Sequence, residues 1–146
     1  MTPLAPPFVD DKPSRGAIPI MMNQSGDALA IAVKTWRINL HDILIVCDDV
    51  NLPLGTVRLR AQGSDGGHHG LASCLETLGT QEIARLRIGV GVQPLPEDLT
   101  DFVLSPFTEQ ERPAVNQVLR QAVEACELWA TEGIQTAMNR VNVPQA

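Results

Sequence analysis

Apolar residues recur at helical spacing over residues 25–37, where Ala28, Leu29, Ile31, Ala32, Val33 and Trp36 make one stripe and Ser25 can cap the start. A near-continuous apolar run follows, Ile43-Leu44-Ile45-Val46-Cys47. That run predicts a strand buried on both faces, as in a parallel sheet, ending in Asp48-Asp49. Residues 52–55, Leu-Pro-Leu-Gly, read as a turn. Thr56-Val57-Arg58-Leu59-Arg60 then alternates, which predicts a half-exposed strand with Val57 and Leu59 inside and both arginines outside. Leu71, Leu75 and Leu78 predict a helix over about 69–79, ended by Gly79. Residues 85–92 form another strand pattern. Residues 93–107 read as a proline-containing, lid-like loop with a short segment at Phe102-Val103-Leu104.

Further on, Val115, Val118, Leu119, Ala122, Val123, Cys126, Leu128 and Trp129 predict the core side of a helix over about 108–131. Gly133 breaks it, and Ile134 to Val141 predicts a last helical piece. The order α-β-β-α-β-α-α indicates an α/β domain with one mixed sheet. Residues 1–18 differ: Pro3, Pro6, Pro7 and Pro13, with Pro19 just beyond, predict an irregular arm ahead of a domain over 19–146.

Composition changes this picture little. The chain has 146 residues and 44% apolar content, enough for an ordinary core, and with no Tyr that core must be largely aliphatic. The net charge of −6 argues against broad, non-specific nucleic-acid binding but leaves room for a local basic face. Arg58, Arg60, Arg85 and Arg87 could supply one and pair with phosphates, or could be simply solvated or salt-bridged. Cys47, Cys74 and Cys126 are far apart and form no C-x-x-C, which reads as buried thiols in a reducing, cytoplasmic compartment. No run reads as a signal peptide or a membrane span.

Chemistry concentrates at Gly63-Ser64-Asp65-Gly66-Gly67-His68-His69-Gly70-Leu71. A glycine loop opening a helix can present N–H groups to a phosphate, although the spacing is neither G-x-G-x-x-G nor the Walker pattern. Adjacent histidines diverge, so His68 and His69 make a poor pair of metal ligands. A histidine here could instead serve as a base if Asp48, at a strand end, orients it. A plain strand-to-helix turn is the fourth reading. Asn23, ahead of the first helix, suits either a turn or a binding role, because its amide both donates and accepts.

Taken in order, MMNQSGDAL (21–29), the continuous stretch 43–91 from ILIVCDD to RIGVG, DFVLSPFTEQE (101–111) and AMNRVN (137–142) resemble the bacterial-type peptidyl-tRNA hydrolases, from about residue 19 to 143. The resemblance implies a single α/β domain with a mixed twisted sheet flanked by helices. It implies an esterase that cleaves the bond between a peptide and the 3′ ribose of tRNA, with no metal or organic cofactor. The implied partner is peptidyl-tRNA, and the implied setting is a cytoplasmic monomer with no membrane contact. By position, Asp48 corresponds to the carboxylate that orients the catalytic His, Asn23 to a residue fixing substrate near the ester, and Met21 to a cleft-lining side chain. Arg58, Arg60 and Arg87 fall where basic residues face tRNA, and residues 93–107 correspond to a mobile lid.

Two departures accompany the resemblance. The family opens with a strand running into G-L-G-N-P-G and then a T-R-H-N stretch bearing the catalytic His; residues 1–18 match neither, which predicts an N-terminally truncated fold in which Asp48 orients a missing His. The family also has G-G-H-N-G, and His69 here stands at the Asn that holds substrate. Three accounts follow: a shortened gene or a start placed downstream, a relative that binds tRNA without cleaving it, or His68 or His69 acting as base with Asp48.

Overall fold

A computed structural model describes residues 24–92 and 96–142. The proline-rich arm, Met21, Asn23 and residues 93–95 of the lid-like loop lie outside the described residues. The described chain forms two compact units, one from the residues up to Ile43 with Gly63–Ile83, the other from Leu44–Gln62 with Ala84 onward.

The first unit packs helix α1 (Ser25–Trp36) against helix α2 (His69–Leu78). Ser25 opens α1 as its first helical residue; the flanking residue is Gln24, which makes no side-chain cap bond. Ala32 is buried as expected, but Ile31 is exposed, because the helix buries a narrow face of small residues. Gly26 explains that closeness. A Cβ there would run into Ser73 carbonyl oxygen and Thr77 Oγ1 on α2, and the Gly26 N–H donates to Ser73 Oγ at 2.8 Å. On α2, Leu71, Cys74 and Leu75 are buried, and Gly79 ends the helix at φ 69°, a left-handed conformation suited to glycine.

The second unit contains a three-stranded mixed sheet in the order β1-β3-β2, from β1 (Leu44–Pro53), β2 (Val57–Arg60) and β3 (Ala84–Gly91). β1 runs parallel to β3, and β2 antiparallel to it. Helices α4 (Arg112–Glu132) and α5 (Ile134–Val141) pack on one face, with Leu59, Leu86, Ala122, Ala125 and Ala137 at the centre. A six-residue helix, α3 (Leu99–Leu104), occupies part of the lid-like loop.

Four expectations need correction here. The first strand does not end in Asp48-Asp49 but runs on to Pro53: pairing with β3 continues through Asp48↔Ile88 and Asp49↔Gly89, then shifts register before Pro53. Backbone pairing ignores side-chain polarity, so the apolar run marked only half of the strand. Nor is that strand buried on both faces. Among the described residues β1 is an edge strand, and Val46 is 49% exposed. On α4, Leu119 and Val123 are exposed and Val118, Ala122 and Ala125 face the sheet, so the buried face is turned by one residue toward smaller side chains. The helix also starts at 112 rather than 108. Thr108 and Glu111 form reciprocal bonds ahead of it, Thr108 N–H to Glu111 Oε1 at 2.8 Å and Glu111 N–H to Thr108 Oγ1 at 3.2 Å.

Because β3 lies between β1 and β2, the link from Val50 to Thr56 must cross from one side of β3 to the other. Gly89 and Gly91, two residues apart and so on one face, make room for it. The Leu54 N–H bonds Gly91 carbonyl at 3.1 Å, and the Gly89 N–H bonds Thr56 carbonyl at 2.7 Å.

Candidate functional site

Strand register places the charged residues of the second unit on defined faces. Cys47 aligns with Arg87, Arg87 with Arg58, and Arg85 with Arg60. Aligned residues project from the same face, so four arginines share one side of the sheet with Cys47 and Asp49. Asp48 is on the other side, with Leu44 and Ile88. Asp48 and the basic set are therefore separated by the thickness of the strand.

The four arginines differ. Arg85 is only 2% exposed, so it does not belong to a solvent-facing patch. Arg87 pairs with Asp49 through Nε and a terminal nitrogen, and Asp49 also accepts from the Asn51 N–H at 2.7 Å. Among the described residues no carboxylate pairs with Arg58 or Arg60, and Arg58 Nε is buried without a hydrogen-bond partner. Burial, and then the positive charges of Arg58 and Arg87, hold the Arg60 guanidinium below its usual value. Such crowding of like charge is costly in isolation and is relieved by an anion. Asp49 as the partner of Arg87 was missed in the sequence, where Asp48 and Asp49 read alike; strand alternation was the available signal.

Cys47 lies under this arrangement. Burial, followed by the Asp48 and Asp49 carboxylates, pushes its thiol up to about 11, with Arg85 and Arg87 opposing. The fold thus favours the thiol over the thiolate. Stability from this source is fully present below pH 9.0, the ordinary value, and is lost as pH rises toward about 11. We expect the unfolding free energy to fall between those limits, with Cys47 contributing at most about 2–3 kcal/mol. Urea titrations of the wild type and Cys47→Ala across this range check it: the variant should show the shallower decline, and parallel declines would contradict it.

In the first unit, the glycine loop is built from its own bonds. Asp65 accepts from Gly67 N–H through Oδ1 at 2.7 Å and from His68 N–H through its carbonyl at 3.0 Å. Gly66 and Gly67 take φ of 59° and 85°, which this turn requires. His68 caps α2: its Nδ1 accepts from the Leu71 N–H at 3.1 Å. Three N–H groups that a phosphate cradle would use are thereby occupied, which favours the turn reading over the phosphate reading. A neutral imidazole that accepts at Nδ1 carries its proton on Nε2, so His68 presents a donor there, not a base. His69 is the first helical residue and is exposed. Among the described residues no group of three or more His, Cys, Asp or Glu side chains is placed to hold a metal ion. No described helix is long and apolar enough to cross a membrane.

A family model described as peptidyl-tRNA hydrolase matches residues 19–146. The chain is 45% identical over 121 residues to a peptidyl-tRNA hydrolase of Chlorobaculum tepidum, covering 83% of this chain and 65% of the relative. It is 46% identical over 121 residues to that of Thermotoga maritima, with the same coverage of 83% and 65%. Its fold matches the crystal structure of peptidyl-tRNA hydrolase from Acinetobacter baumannii at a TM-score of 0.76 and 28% identity, over 85% of this chain and 63% of that one. The chain belongs to the peptidyl-tRNA hydrolase family. It spans about 65% of the length of the first curated relatives it matches.

Proposed function

We propose that this protein acts on peptidyl-tRNA, hydrolysing the ester between peptide and tRNA and so returning tRNA to translation. The family match carries the reading. The un-neutralised pair Arg58 and Arg60 supports it as the place where tRNA phosphates are held, with Arg87 contributing a charge partly offset by Asp49. In this reading Asp48 stands where the family's carboxylate orients the catalytic histidine, whose segment residues 1–18 do not match; Asn23 and Met21 hold the substrate's ester end, and His68 and His69 contact substrate from the start of α2. The reaction uses no metal or organic cofactor. The protein works as a cytoplasmic monomer; its three unpaired cysteines accord with that setting.

One observation favours a second reading, a relative that binds tRNA without cleaving it. The Nδ1 of His68 is engaged in capping α2, so this side chain is not poised to replace a catalytic base. Incubating the protein with an N-acetylated aminoacyl-tRNA separates the two. Hydrolysis predicts release of the acylated amino acid, falling at least about tenfold in Asp48→Ala. Salt-sensitive binding with no release supports the second reading, and absence of both defeats each.

A further inference from the structure

The outer edge of β2 carries a feature that neither the family match nor the basic face accounts for. β2 is four residues long, and among the described residues its only strand partner is β3. Its other edge would leave the N–H and C=O of Leu59 without a backbone partner. Asn142, the residue that ends α5, fills that place. The Leu59 N–H donates to Asn142 Oδ1 at 2.8 Å, and Asn142 Nδ2 donates to the Leu59 carbonyl at 2.7 Å. The side-chain amide thus pairs with Leu59 as a one-residue strand would. Meanwhile the Asn142 N–H bonds the Met138 carbonyl at 3.0 Å, so the same residue is tied to the helix.

Leu59 stands between Arg58 and Arg60. In an antiparallel ladder, residues whose backbone groups point outward alternate with residues whose groups face the partner strand. With Leu59 facing Asn142, Arg58 and Arg60 are the residues bonded to Arg87 and Arg85, in agreement with the register. The Leu59 side chain is fully buried in the core beside Met138 and Val141 of α5. Asn142 therefore grips β2 midway between its two un-neutralised arginines, on the backbone rather than on either side chain.

We propose that Asn142 is a positioning residue for tRNA binding: by pairing with both backbone groups of Leu59 it holds Arg58 and Arg60 at the spacing that two phosphates require. The proposal rests on the reading of Arg58 and Arg60 as phosphate contacts. No contact between Asn142 and RNA is involved. Loss of the amide frees one edge of β2, and the two guanidinium groups then no longer engage together.

The test uses the full chain and deacylated tRNA, with affinity measured against salt well below each variant's Tm. Asn142→Ala is expected to weaken binding about fivefold at low salt, the worth of one net hydrogen bond. It should also flatten the slope of log affinity against log salt by about one phosphate equivalent. Asn142→Asp keeps the acceptor for the Leu59 N–H but sets a carboxylate against the Leu59 carbonyl, so it should fail as Ala does. Asn142→Gln, which can restore both bonds from a longer arm, should recover part of the slope. Lower stability alone would shift Tm and leave the slope unchanged. Amide exchange at Leu59 gives a readout without RNA: protection should fall in Asn142→Ala, and unchanged protection overturns the proposal. The Arg58→Ala and Arg60→Ala variants separate the two claims. If they leave the slope unaltered, the phosphate reading fails and this proposal with it. If they flatten it while Asn142→Ala does not, the positioning role alone is overturned.

Discussion

Gly89→Val is expected to prevent the second unit from folding, or to destabilise it by about 3 kcal/mol or more, at the upper end of overpacking and backbone clash. The reason is topological. Among the described residues β3 has β1 on one side and β2 on the other, and the connection between those two strands must pass across it. At Gly89 a Cβ would collide with the carbonyl oxygen of Pro53 and come within 2.9 Å of that of Leu52. At Gly91 it would collide with the Val50 carbonyl and lie 2.8 Å from that of Leu52. These obstacles are backbone atoms, so no rotamer change relieves them. Moving the crossing chain away would break the Leu54-to-Gly91 and Gly89-to-Thr56 hydrogen bonds. Gly89→Ala should show a smaller cost of the same origin, and Gly89→Ala/Gly91→Ala together should exceed the sum that distant sites would give, because both press on one segment. Equilibrium denaturation reads this directly. A Gly89→Ala protein as stable as wild type to within about 0.5 kcal/mol would refute the crossing geometry.

Arg87→Ala is the second large effect, about 2–3 kcal/mol lost, below the full cost of breaking a buried pair because Arg87 is itself partly exposed. The side chain of Asp49 is 10% exposed and that of Arg87 31%. Removing Arg87 leaves the Asp49 carboxylate nearly buried, with the Asn51 N–H as its remaining hydrogen-bond donor among the described residues. The converse change, Asp49→Ala, leaves Arg87 opposite Arg58 with nothing to balance either. Arg87→Lys keeps the charge but replaces a fork of two nitrogens by one ammonium, and should recover only part of the loss. A double-mutant cycle between the two positions should give a coupling above about 1 kcal/mol. Coupling near zero would mean that the pair contributes nothing.

Much of the secondary structure was legible because it depends on local chemistry. The last helix, Ile134–Val141, has the limits that Gly133 and the apolar spacing predict. Helix α2 ends at Gly79 because a left-handed residue is needed there. Val57 and Leu59 face inward by simple alternation, and Leu59 is fully buried. The candidate site was legible in part. Arg58, Arg60 and Arg87 do share a face, because residues in register across paired strands point the same way. Asp48 was expected at a strand's end and is found inside one, since hydrophobic patterning is blind to backbone pairing that continues under polar side chains. The capping bond of His68 was not legible, for a related reason. Whether an imidazole caps a helix or takes a proton depends on which N–H lies 3.1 Å away, and spacing does not reveal that.

Residue types and their periods settle where helices start and stop, which faces are apolar, and the family to which the chain belongs, because each is a property of short stretches or of motif order. Three-dimensional pairing settles the rest. It puts Asp48 and the arginines on opposite sides of the sheet, joins Arg87 to Asp49 rather than to its neighbour, and brings Asn142 to Leu59 across 83 positions of chain. It also turns two glycines into a passage for backbone. Contacts of that kind are made between distant segments, and their energies depend on distances that no local pattern encodes.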